Sequence, residues 1–291
     1  MKEEVCAVVV TFRPGSETLR NLALVRAQAA VLIVVDNGSS QTMIQALREA
    51  SRSERFTLLE NETNLGIAAA LNRGIGHARD GGYQWVLLLD QDSTVTEGFV
   101  GAMIDGAARR SLRDKVAVFC PKYIDRSSGE TMPTPLHRGD GPEVARTSGS
   151  LMPMWAFEEC GWFREELFID QVDFEYCLRL RARGYQIAEC EGATLLHTLG
   201  APKIYSLFGR RLFGTTNHSA ARRYYLARNR IWLLKKYWGR YPYWCAAACI
   251  ATLKESVRIL LVEDGRWSKL GRTALGVRDG LLGRMGKRVE I

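Results

Sequence analysis

The stretch Trp85-Val86-Leu87-Leu88-Leu89-Asp90-Gln91-Asp92 decides the fold, because five apolar residues run without a break into two carboxylates. Such continuous apolar runs are typical of strands that are buried on both faces of a parallel sheet. Comparable runs start at Val5, Val31 and Phe56, and helical periodicity fills the segments between them. The alternation predicts an α/β fold with a mainly parallel sheet and helices on both faces.

Outward from this run, the same pattern predicts the elements of the first part of the chain. Strands are predicted at 5–10, 31–35, 56–60 and 85–89, and helices at 16–29, 41–51 and 67–79. In open α/β sheets, ligands bind beyond the carboxyl ends of the strands. We therefore expect one crevice lined by the polar residues that follow the strands, namely Thr11–Arg13, Asp36, Asn37 and Asp90–Asp92.

Length and composition limit the classes of protein. The chain has 291 residues, of which 46% are hydrophobic and 25% are charged, and these globular values exclude a disordered or fibrous chain. The longest run without a charged residue, Tyr241–Leu253, is shorter than the ~20 residues that span a bilayer. The acidic start is not expected to be a secretory signal. The seven cysteines form no CxxC pair, so we expect reduced thiols in a cytosolic protein and no zinc site.

Positive charge is concentrated in the last third of the chain. Residues 198–291 contain 19 Lys or Arg and 5 Asp or Glu, a net charge of +14, whereas the whole chain carries +8. Because the composition changes near residue 200, we predict an α/β domain at 1–200 and a helical, basic, aromatic-rich extension at 201–291. The excess of positive charge in residues 198–291 indicates an anionic partner, which is a membrane surface, a nucleic acid or a phosphorylated substrate. A nucleic acid does not account for the acidic crevice, and we do not expect one.

Three carboxylates follow the predicted strands. At a strand end the chain turns, so Asp90 and Asp92 are able to face one Mg²⁺ or Mn²⁺ ion; the alternative is a solvated acidic turn. Asp36 is placed either to accept a hydrogen bond from a nucleotide base or ribose, or only to cap the next helix. No GxGxxG motif follows the first strand, which disfavours a dinucleotide site.

Asp173 and His197 are the next candidates. Asp173 is predicted at the start of a helix that faces the crevice, where it acts either as a general base for a hydroxyl nucleophile or as a structural helix cap. A lone histidine beside leucines is usually a buried core residue; if His197 ends a strand near Asp92, its imidazole is instead able to ligate the same metal.

The basic, aromatic segment 222–232 is a further candidate region. A helix is predicted there by an apolar stripe at a spacing of three and four residues: Tyr224, Ala227, Ile231, Leu234 and Trp238. Three interpretations stay open. The helix packs with a solvated basic face, captures phosphate through arginine, or lies at a membrane surface.

Taken in order, these motifs resemble the inverting glycosyltransferases of family 2, which have the GT-A nucleotide-sugar fold. The matching segments are 8–12, 35–39, 64–68, 89–93, 147–150, 167–179 and 197–200. The narrower resemblance is to bacterial rhamnosyltransferases that use dTDP-L-rhamnose in O-antigen or rhamnolipid synthesis. These share Leu-Leu-Leu-Asp-Gln-Asp-Ser, which lies here at 87–93, and an element similar to 222–229.

The resemblance implies roles for the matching residues. Asp36 is expected to contact the thymine base, and Asp92 and His197 are expected to bind the metal, Mg²⁺ or Mn²⁺. The other donor contacts are expected at Thr11, Phe12, Arg13, Asn64, Asp90 and Gln91. Asp173 matches the catalytic base, although Val172 stands where the family usually has Glu. Lower-ranked contacts to acceptor or phosphate are Asp170, Glu175, Arg222, Arg223, Tyr224 and Arg228.

The implied reaction is metal-dependent, inverting transfer of L-rhamnose from dTDP-L-rhamnose to a hydroxyl of a lipid-linked saccharide or glycolipid. The enzyme is expected in the cytoplasm, held peripherally on the anionic inner face of the cytoplasmic membrane. Alternatives are another nucleotide-sugar donor and a non-catalytic, nucleotide-sugar-binding membrane scaffold. A nucleotidyltransferase would need a basic glycine-rich loop after the first strand, but Thr11–Ser16 holds one Arg and no Lys. The sequence carries no signal for an oligomeric state.

Overall fold

The structure is a computed structural model, and it describes residues 4–110, 115–126, 128–132, 137–138, 141–197, 203–207 and 210–291. The chain divides into two units. The first contains Met1–Glu165 and Asp173–Thr198, and the second contains Glu166–Val172 and Leu199–Ile291. Two parts of the sequence interpretation lie outside the described residues: the end of the last matching segment at 198–200, and the domain boundary at 200/201.

Strands and helices alternate along the first unit. In chain order its elements are β1 Val5–Thr11, α1 Ser16–Gln28, β2 Val31–Asn37, α2 Gln41–Glu54, β3 Thr57–Asn61, α3 Ile67–Asp80, β4 Trp85–Asp90, β5 Thr94–Val95, α4 Phe99–Arg110, β6 Val116–Asp125, β7 His137–Arg138, β8 Gly141–Pro142, β9 Ser150–Pro153, α5 Met154–Cys160, α6 Val172–Ala182 and β10 Gln186–His197. The strands and helices predicted up to residue 90 are all confirmed.

One mixed sheet forms the centre of this unit. Within the described ranges it has eight strands in the order β3-β2-β1-β4-β9-β6-β10-β5. The first four run parallel to one another, and β6 and β10 are also parallel. Strand β9 is antiparallel to β4 and β6, and β5 is antiparallel to β10. The predicted α/β class with a mainly parallel sheet is therefore confirmed.

Helices cover both faces of the parallel strands, which explains why these strands are apolar without alternation. On one face, Val9 of β1 belongs to a buried cluster with Leu22 of α1 and Phe99 of α4. On the other face, α3 lies so close to the sheet that a Cβ added at Gly74 would be 2.4 Å from Val8 Cγ1. Glycine at position 74 therefore permits the close approach of helix and sheet.

The strand register brings the candidate polar residues to one edge of the sheet. Thr11 at the end of β1 pairs with Asp36 at the end of β2, and Val10 pairs with Asp90 at the end of β4. These three strands are parallel, so their carboxyl ends meet at the same edge. The polar residues that were expected to line the crevice therefore follow strands whose ends lie at one edge of the sheet.

The second unit contains β11 Lys203–Leu207, β12 Arg210–Thr215, α7 Ala220–Tyr237, α8 Pro242–Val262 and α9 Arg266–Leu281. The predicted helical region is confirmed, while the β11–β12 hairpin was not predicted. Helices α7 and α9 approach closely at Gly276, where an added Cβ would lie 2.3 Å from the Tyr224 carbonyl oxygen. None of the helices that the structure describes combines the length and apolar character needed to cross a membrane.

Helix α7 confirms the predicted helix, but its buried face differs from the predicted apolar stripe. Leu233 and Tyr237 are buried, whereas Trp238 follows the helix and is more than half exposed. Three arginines of α7 are buried as well: Arg223, Arg228 and Arg230. The stripe was therefore wrong at Trp238, and the basic residues of α7 are divided between these buried arginines and the exposed Lys235 and Lys236. Burial is tolerated because each guanidinium has carboxylate, amide or carbonyl partners inside the unit.

Candidate active site

Asp36 joins the loops that follow β1 and β2. Its side chain is fully buried, and its Oδ1 accepts hydrogen bonds from Thr11 Oγ1 at 3.0 Å and Ser39 Oγ at 2.6 Å. Its Oδ2 accepts a hydrogen bond from the Ser39 amide at 2.9 Å. Asp36 therefore fixes the first two strand ends relative to each other, and its contact with a nucleotide base stays a prediction.

Phe12 and Gln91 fasten the end of β1 to the end of β4. The Phe12 amide donates to Gln91 Oε1 at 2.9 Å, and Gln91 Nε2 donates to the Phe12 carbonyl at 3.1 Å. Next along the chain, Arg13 has a left-handed backbone with φ of 50°, and its guanidinium lies 4.7 Å from the centre of the Phe12 ring. The three residues expected to wall a nucleotide pocket thus form one connected group with Gln91.

Asn64 belongs to an amide network below the loop that leads into α3. Its Oδ1 accepts hydrogen bonds from Asn37 Nδ2 at 3.0 Å and from the Gly66 amide at 2.9 Å. Gly38 completes the packing, because its φ is 85° and an added Cβ would lie 2.5 Å from the Thr63 carbonyl carbon. The structure therefore gives Asn64 a loop-holding role, and its contact with a donor stays a prediction.

Asp90, Asp92 and His197 form a cluster that could hold a metal ion. One ligand atom from each residue lies within 4.8 Å of the others. Asp90 is half-buried, Asp92 is exposed, and His197 is 6% exposed. The turn after β4 brings the two carboxylates together, and β10 ends at His197 beside them. The juxtaposition expected from the sequence is therefore present.

Two serines that the sequence interpretation did not select orient His197. Ser93 Oγ lies 3.0 Å from His197 Nδ1 and 2.7 Å from Ser148 Oγ, which accepts a hydrogen bond from the Asp90 amide at 3.0 Å. With Nδ1 engaged by Ser93, Nε2 is the ring nitrogen left to bind a metal. Burial lowers the pKa of His197, with Arg146 and Arg126 lowering it further and Asp92 opposing them. A lowered pKa favours the neutral imidazole, which is the form that binds metals.

The donor set fits a divalent cation. Two carboxylates and one imidazole suit Mn²⁺ and related ions, and three protein ligands leave coordination positions for water or substrate oxygens. The Asp92 side chain is exposed and therefore accessible to an ion from solution. Asp92 and His197 would hold the ion, with Asp90 beside them.

Tyr123 of β6 links this cluster to Asp173. Its ring lies 6.4 Å from that of His197, and its hydroxyl donates to the Ser148 carbonyl at 2.9 Å. Burial raises the pKa of Tyr123 well above its usual range, and the charges of Asp173 and Asp90 are among those that raise it further. Both carboxylates are therefore within electrostatic range of one buried hydroxyl. The role of Asp173 as the base of the same site stays a prediction.

Arg146 places a positive charge at the same site. Its guanidinium lies 4.8 Å from the centre of the Tyr123 ring, and it lowers the pKa of His197. Its Nη1 is buried and has no hydrogen-bond partner among the described residues. Sequence reasoning missed Arg146, because an isolated arginine in a loop carries no pattern. A partly buried guanidinium with an unused donor is suited to an anionic ligand.

Asp173 is the second residue of α6, so it lies inside the helix rather than before it as a cap would. It is half-buried, and its Oδ1 accepts a hydrogen bond from the Phe174 amide at 2.9 Å. Glu175 differs from it. Glu175 is fully buried, with Oε1 at 2.9 Å from Arg164 Nε and Oε2 at 2.8 Å from Arg179 Nη2. Both oxygens of Glu175 are held by arginine, which gives it a structural role.

The remaining lower-ranked residues lie in the second unit and also have protein partners. Asp170 pairs with Arg222, and Arg223 Nη2 lies 2.6 Å from Glu263 Oε1. Tyr224 donates to Asp279 Oδ2 at 2.8 Å. Arg228 is fully buried and donates to the main-chain carbonyls of Glu166 and Leu167. These contacts describe an internal framework and lend no support to phosphate capture by α7.

A mixed sheet of this order, with an Asp-x-Asp turn and a histidine at its strand ends, defines a glycosyltransferase of the GT-A fold. Residues 6–159 match the family described as "Glycosyl transferase family 2". The chain belongs to that family. The predictions of fold, enzyme class and family are confirmed.

Two curated relatives extend this comparison along the chain. The dTDP-rhamnosyl transferase RfbF of Shigella flexneri is 26% identical, with 98% of each chain covered. The galactofuranosyltransferase GlfT1 of Mycobacterium tuberculosis is 27% identical over 81% of this chain and 84% of that protein.

Solved structures agree on the fold. The mannosyltransferase PcManGT from Pyrobaculum calidifontis, in complex with GDP-Man and Mn²⁺, has a TM-score of 0.60 at 14% identity, covering 97% of this chain and 88% of that one. GalNAc-T7 with UDP, GalNAc and Mn²⁺ has a TM-score of 0.61 at 14% identity, covering 96% of this chain and 56% of that one. At these identities the likeness is one of fold.

Proposed function

We propose that the protein transfers L-rhamnose from dTDP-L-rhamnose to a hydroxyl of a lipid-linked glycan or glycolipid, with inversion and with a divalent metal. The observation that carries this proposal is the cluster of Asp90, Asp92 and His197 at the strand ends. The ring of Tyr123 lies 6.4 Å from that of His197, and the charge of Asp173 is among those that raise the pKa of Tyr123 beyond the effect of burial. A metal cluster and a separate carboxylate are the two parts that a single displacement requires. The similarity to the Shigella flexneri dTDP-rhamnosyl transferase along 98% of the chain supports the donor.

The reaction follows from the roles of these side chains. Asp173 takes the proton of the acceptor hydroxyl. The hydroxyl oxygen forms a bond to the anomeric carbon of rhamnose while the bond from that carbon to the diphosphate oxygen breaks, and dTDP leaves. A positioned base of this kind contributes roughly 10²–10⁴-fold to the rate. When bound, the metal offsets the charge that grows on the departing diphosphate. The unused donor of Arg146 is suited to the same oxygens.

Among divalent ions, the cluster favours Mn²⁺ over Mg²⁺. Mg²⁺ takes oxygen ligands almost entirely, whereas an imidazole nitrogen is better suited to ions later in the transition series. His197 is oriented for metal binding by Ser93, which supports its use as a ligand rather than as a core residue. We therefore propose that Mn²⁺ sustains activity at lower concentration than Mg²⁺.

We further propose that the enzyme works in the cytoplasm, attached peripherally to the anionic inner face of the cytoplasmic membrane. Residues 198–291 carry a net charge of +14, and each Lys or Arg near an anionic surface contributes about 1 kcal/mol. Attachment of this kind would bring the enzyme to a lipid-linked acceptor.

A second donor is supported by a specific observation. The galactofuranosyltransferase of Mycobacterium tuberculosis is as similar in percent identity as the rhamnosyl transferase, although over less of the chain. Family membership alone is therefore compatible with another nucleotide sugar. The non-catalytic scaffold is the remaining alternative, and it predicts donor binding without turnover.

A donor screen tests the proposal. Purified protein is incubated with Mn²⁺ or Mg²⁺, a lipid-linked acceptor and a panel of nucleotide sugars, and release of the nucleoside diphosphate is measured. We expect acceptor-dependent release of dTDP from dTDP-L-rhamnose, and a product whose anomeric configuration, measured by NMR, is inverted. Faster release of UDP from a UDP-sugar would show that the donor is that UDP-sugar rather than dTDP-L-rhamnose. Donor binding without turnover on any acceptor would favour the scaffold.

A further inference from the structure

Helix α8 exposes a broad apolar face. Its exposed residues Ile250, Leu253, Val257, Leu260 and Leu261, which we call the α8 apolar face, follow a spacing of three and four residues and so lie on one side of the helix. Leu253 is 67% exposed and Leu261 is 65% exposed. The buried residues Cys245 and Ile259 lie on the opposite side. Contiguous exposure of this kind marks an interaction surface rather than ordinary surface variation.

Charge is nearly absent from this side of the helix. Among the exposed residues of α8, Lys254 is the one with a charge, and it stands at the edge of the apolar face. At 21 residues the helix is about 30 Å long, by the rise of 1.5 Å per residue. A helix of this length that exposes leucine, isoleucine and valine along one side gains stability where that side meets another apolar medium.

Aromatic and basic residues stand at both ends of the α8 apolar face. Trp238 and Arg240 are exposed before the helix, and Arg266 and Trp267 are exposed after it, with Trp267 at 74%. Tryptophan prefers the boundary between lipid headgroups and acyl chains, and arginine prefers anionic headgroups. An apolar face with these flanks is typical of a helix that lies in the plane of a membrane interface.

We propose that the α8 apolar face enters the boundary between headgroups and acyl chains of an anionic membrane. This deepens the membrane attachment proposed above and rests on it, but it assigns the contact to insertion of defined side chains rather than to charge alone. A second copy of the chain is a poorer occupant, because it would bring its own Arg240, Lys254 and Arg266 against the same basic residues. A lipid surface instead supplies the complementary negative charge.

Cys249 offers a reporter within the surface. It is exposed on α8 next to Ile250, whereas the other six cysteines of the chain are buried. A thiol-reactive, environment-sensitive fluorophore on the intact protein would therefore label this position selectively. Insertion predicts a blue shift of its emission on adding anionic vesicles, since the dye would leave water for the acyl boundary.

The test compares flotation of the full chain with phosphatidylglycerol-containing and phosphatidylcholine vesicles at low and high salt. The variant Leu253→Gln/Leu261→Gln removes apolar area without changing charge, and Leu19→Gln, on α1 of the first unit, is the matched control. We expect the wild type and the control to bind anionic vesicles and to keep part of this binding at high salt. The double variant is expected to bind at least roughly 10-fold more weakly, and to lose binding at high salt.

The outcomes separate this inference from the proposal it rests on. If the wild type fails to bind anionic vesicles at low salt, membrane attachment fails and the insertion of α8 fails with it. If the double variant binds as well as the wild type, the proposed insertion of the α8 apolar face is wrong, while attachment of the protein by charge stands. If sedimentation without lipid shows a dimer in which the dye on Cys249 is already blue-shifted, a second copy occupies the face. Circular dichroism and thermal unfolding are measured for all variants, and a Tm close to that of the wild type shows that they are folded.

Discussion

Arg222 at the start of α7 forms a bidentate ion pair with Asp170. Arg222 Nε lies 3.1 Å from both carboxylate oxygens, and Nη2 lies 2.9 Å from Oδ1. Pairs of this geometry are among the stronger ones and fix orientation as well as distance. The sequence interpretation placed Asp170 among the lower-ranked contacts to acceptor or phosphate. Its pairing with Arg222 makes it an anchor for the segment 166–172, which leads directly into Asp173.

The same segment is held by a second contact from α7. Asn229 Nδ2 shares its two hydrogens among the carbonyls of Leu167, Ile169 and Asp170, at 2.9, 2.8 and 2.9 Å. The segment needs this support, because Phe168, Asp170 and Gln171 have left-handed backbones with φ of 64°, 63° and 63°. Each such residue costs on the order of 1–3 kcal/mol. Helix α7 thus stabilises the strained backbone of the segment that precedes Asp173, the candidate base.

Replacing Asn229 by Asp tests this support. The carboxylate has the same shape, but it would face three carbonyl oxygens with no hydrogen to donate. We expect a loss of stability of about 1–3 kcal/mol, which lowers Tm by several degrees, together with a lower kcat. Asn217→Asp is the matched control, because Asn217 Oδ1 accepts from Lys269 Nζ at 2.7 Å and a carboxylate keeps that bond. Thermal unfolding and steady-state kinetics measure Tm and kcat for the two variants. An unchanged Tm for Asn229→Asp would contradict the support of segment 166–172 by Asn229.

The sheet was predictable because its cause is local. A strand that is covered on both faces must be apolar at every position, so β1, β2 and β4 are visible as unbroken runs. The same logic places Asp90 and Asp92 beside the ends of β1 and β2, because the carboxyl ends of parallel strands meet at one edge. It does not place His197, because β9 and β6 lie between β4 and β10 in the sheet. His197 comes beside the carboxylates because β5, which follows Asp92, pairs with the end of β10.

Arg228 was not predictable in the same way. An arginine in a basic segment is expected to be solvated, yet Arg228 is fully buried and donates to carbonyls at Leu167 and Gly286, some sixty residues away on either side. Ser148 was missed for a related reason. Its hydrogen bonds to Ser93 and Asp90 depend on β9 lying beside β4, and no periodic pattern encodes that pairing.

Replacing Asp173 by Asn is expected to preserve donor affinity and remove turnover. The amide keeps the shape of the side chain but cannot take the proton of an acceptor hydroxyl at neutral pH. We expect kcat to fall on the order of 10²-fold or more, with donor Kd and Tm close to those of the wild type. Calorimetry with dTDP and single-turnover kinetics separate the two quantities.

Glu175→Gln is the control for this variant. It leaves Arg164 and Arg179 facing a neutral amide in a buried position, so we expect a lower Tm with a smaller effect on kcat. A near-normal kcat in folded Asp173→Asn would move the base to another carboxylate, and the arginine pairing of Asp170 and Glu175 makes both of them poor substitutes.

Asp92→Ala is expected to abolish metal-dependent binding of the donor. Asp92 is the exposed member of the cluster, and its loss leaves two ligands in place of three. Titration of dTDP by calorimetry with and without Mn²⁺ should show metal enhancement in the wild type and none in the variant. Asp105→Ala, which removes an exposed carboxylate on α4, should behave as the wild type. Full metal enhancement in Asp92→Ala would exclude Asp92 as a ligand.

His218 connects the stability of the protein to pH. Burial lowers the pKa of His218 to about 3, and Arg222, Arg223 and Lys269 lower it further while Glu263 opposes them. In the unfolded chain a histidine titrates near pH 6.5, so between about pH 6.5 and 3 the unfolded state holds a proton that the folded state does not. The free energy of unfolding therefore falls as the pH falls through this window, and above it His218 contributes no pH dependence.

Urea unfolding at about pH 7.5 and about pH 5 measures this effect, and we expect the wild type to lose roughly 1–2 kcal/mol more between them than His218→Asn does. Asparagine carries no titrating proton, so the difference between the two proteins isolates the histidine from the carboxylates that also titrate in acid. His77→Asn, which replaces an exposed histidine on α3, is the matched control and should keep the pH dependence of the wild type. Equal losses in the wild type and His218→Asn would show that His218 is free to take up a proton in the folded protein, against the burial that lowers its pKa.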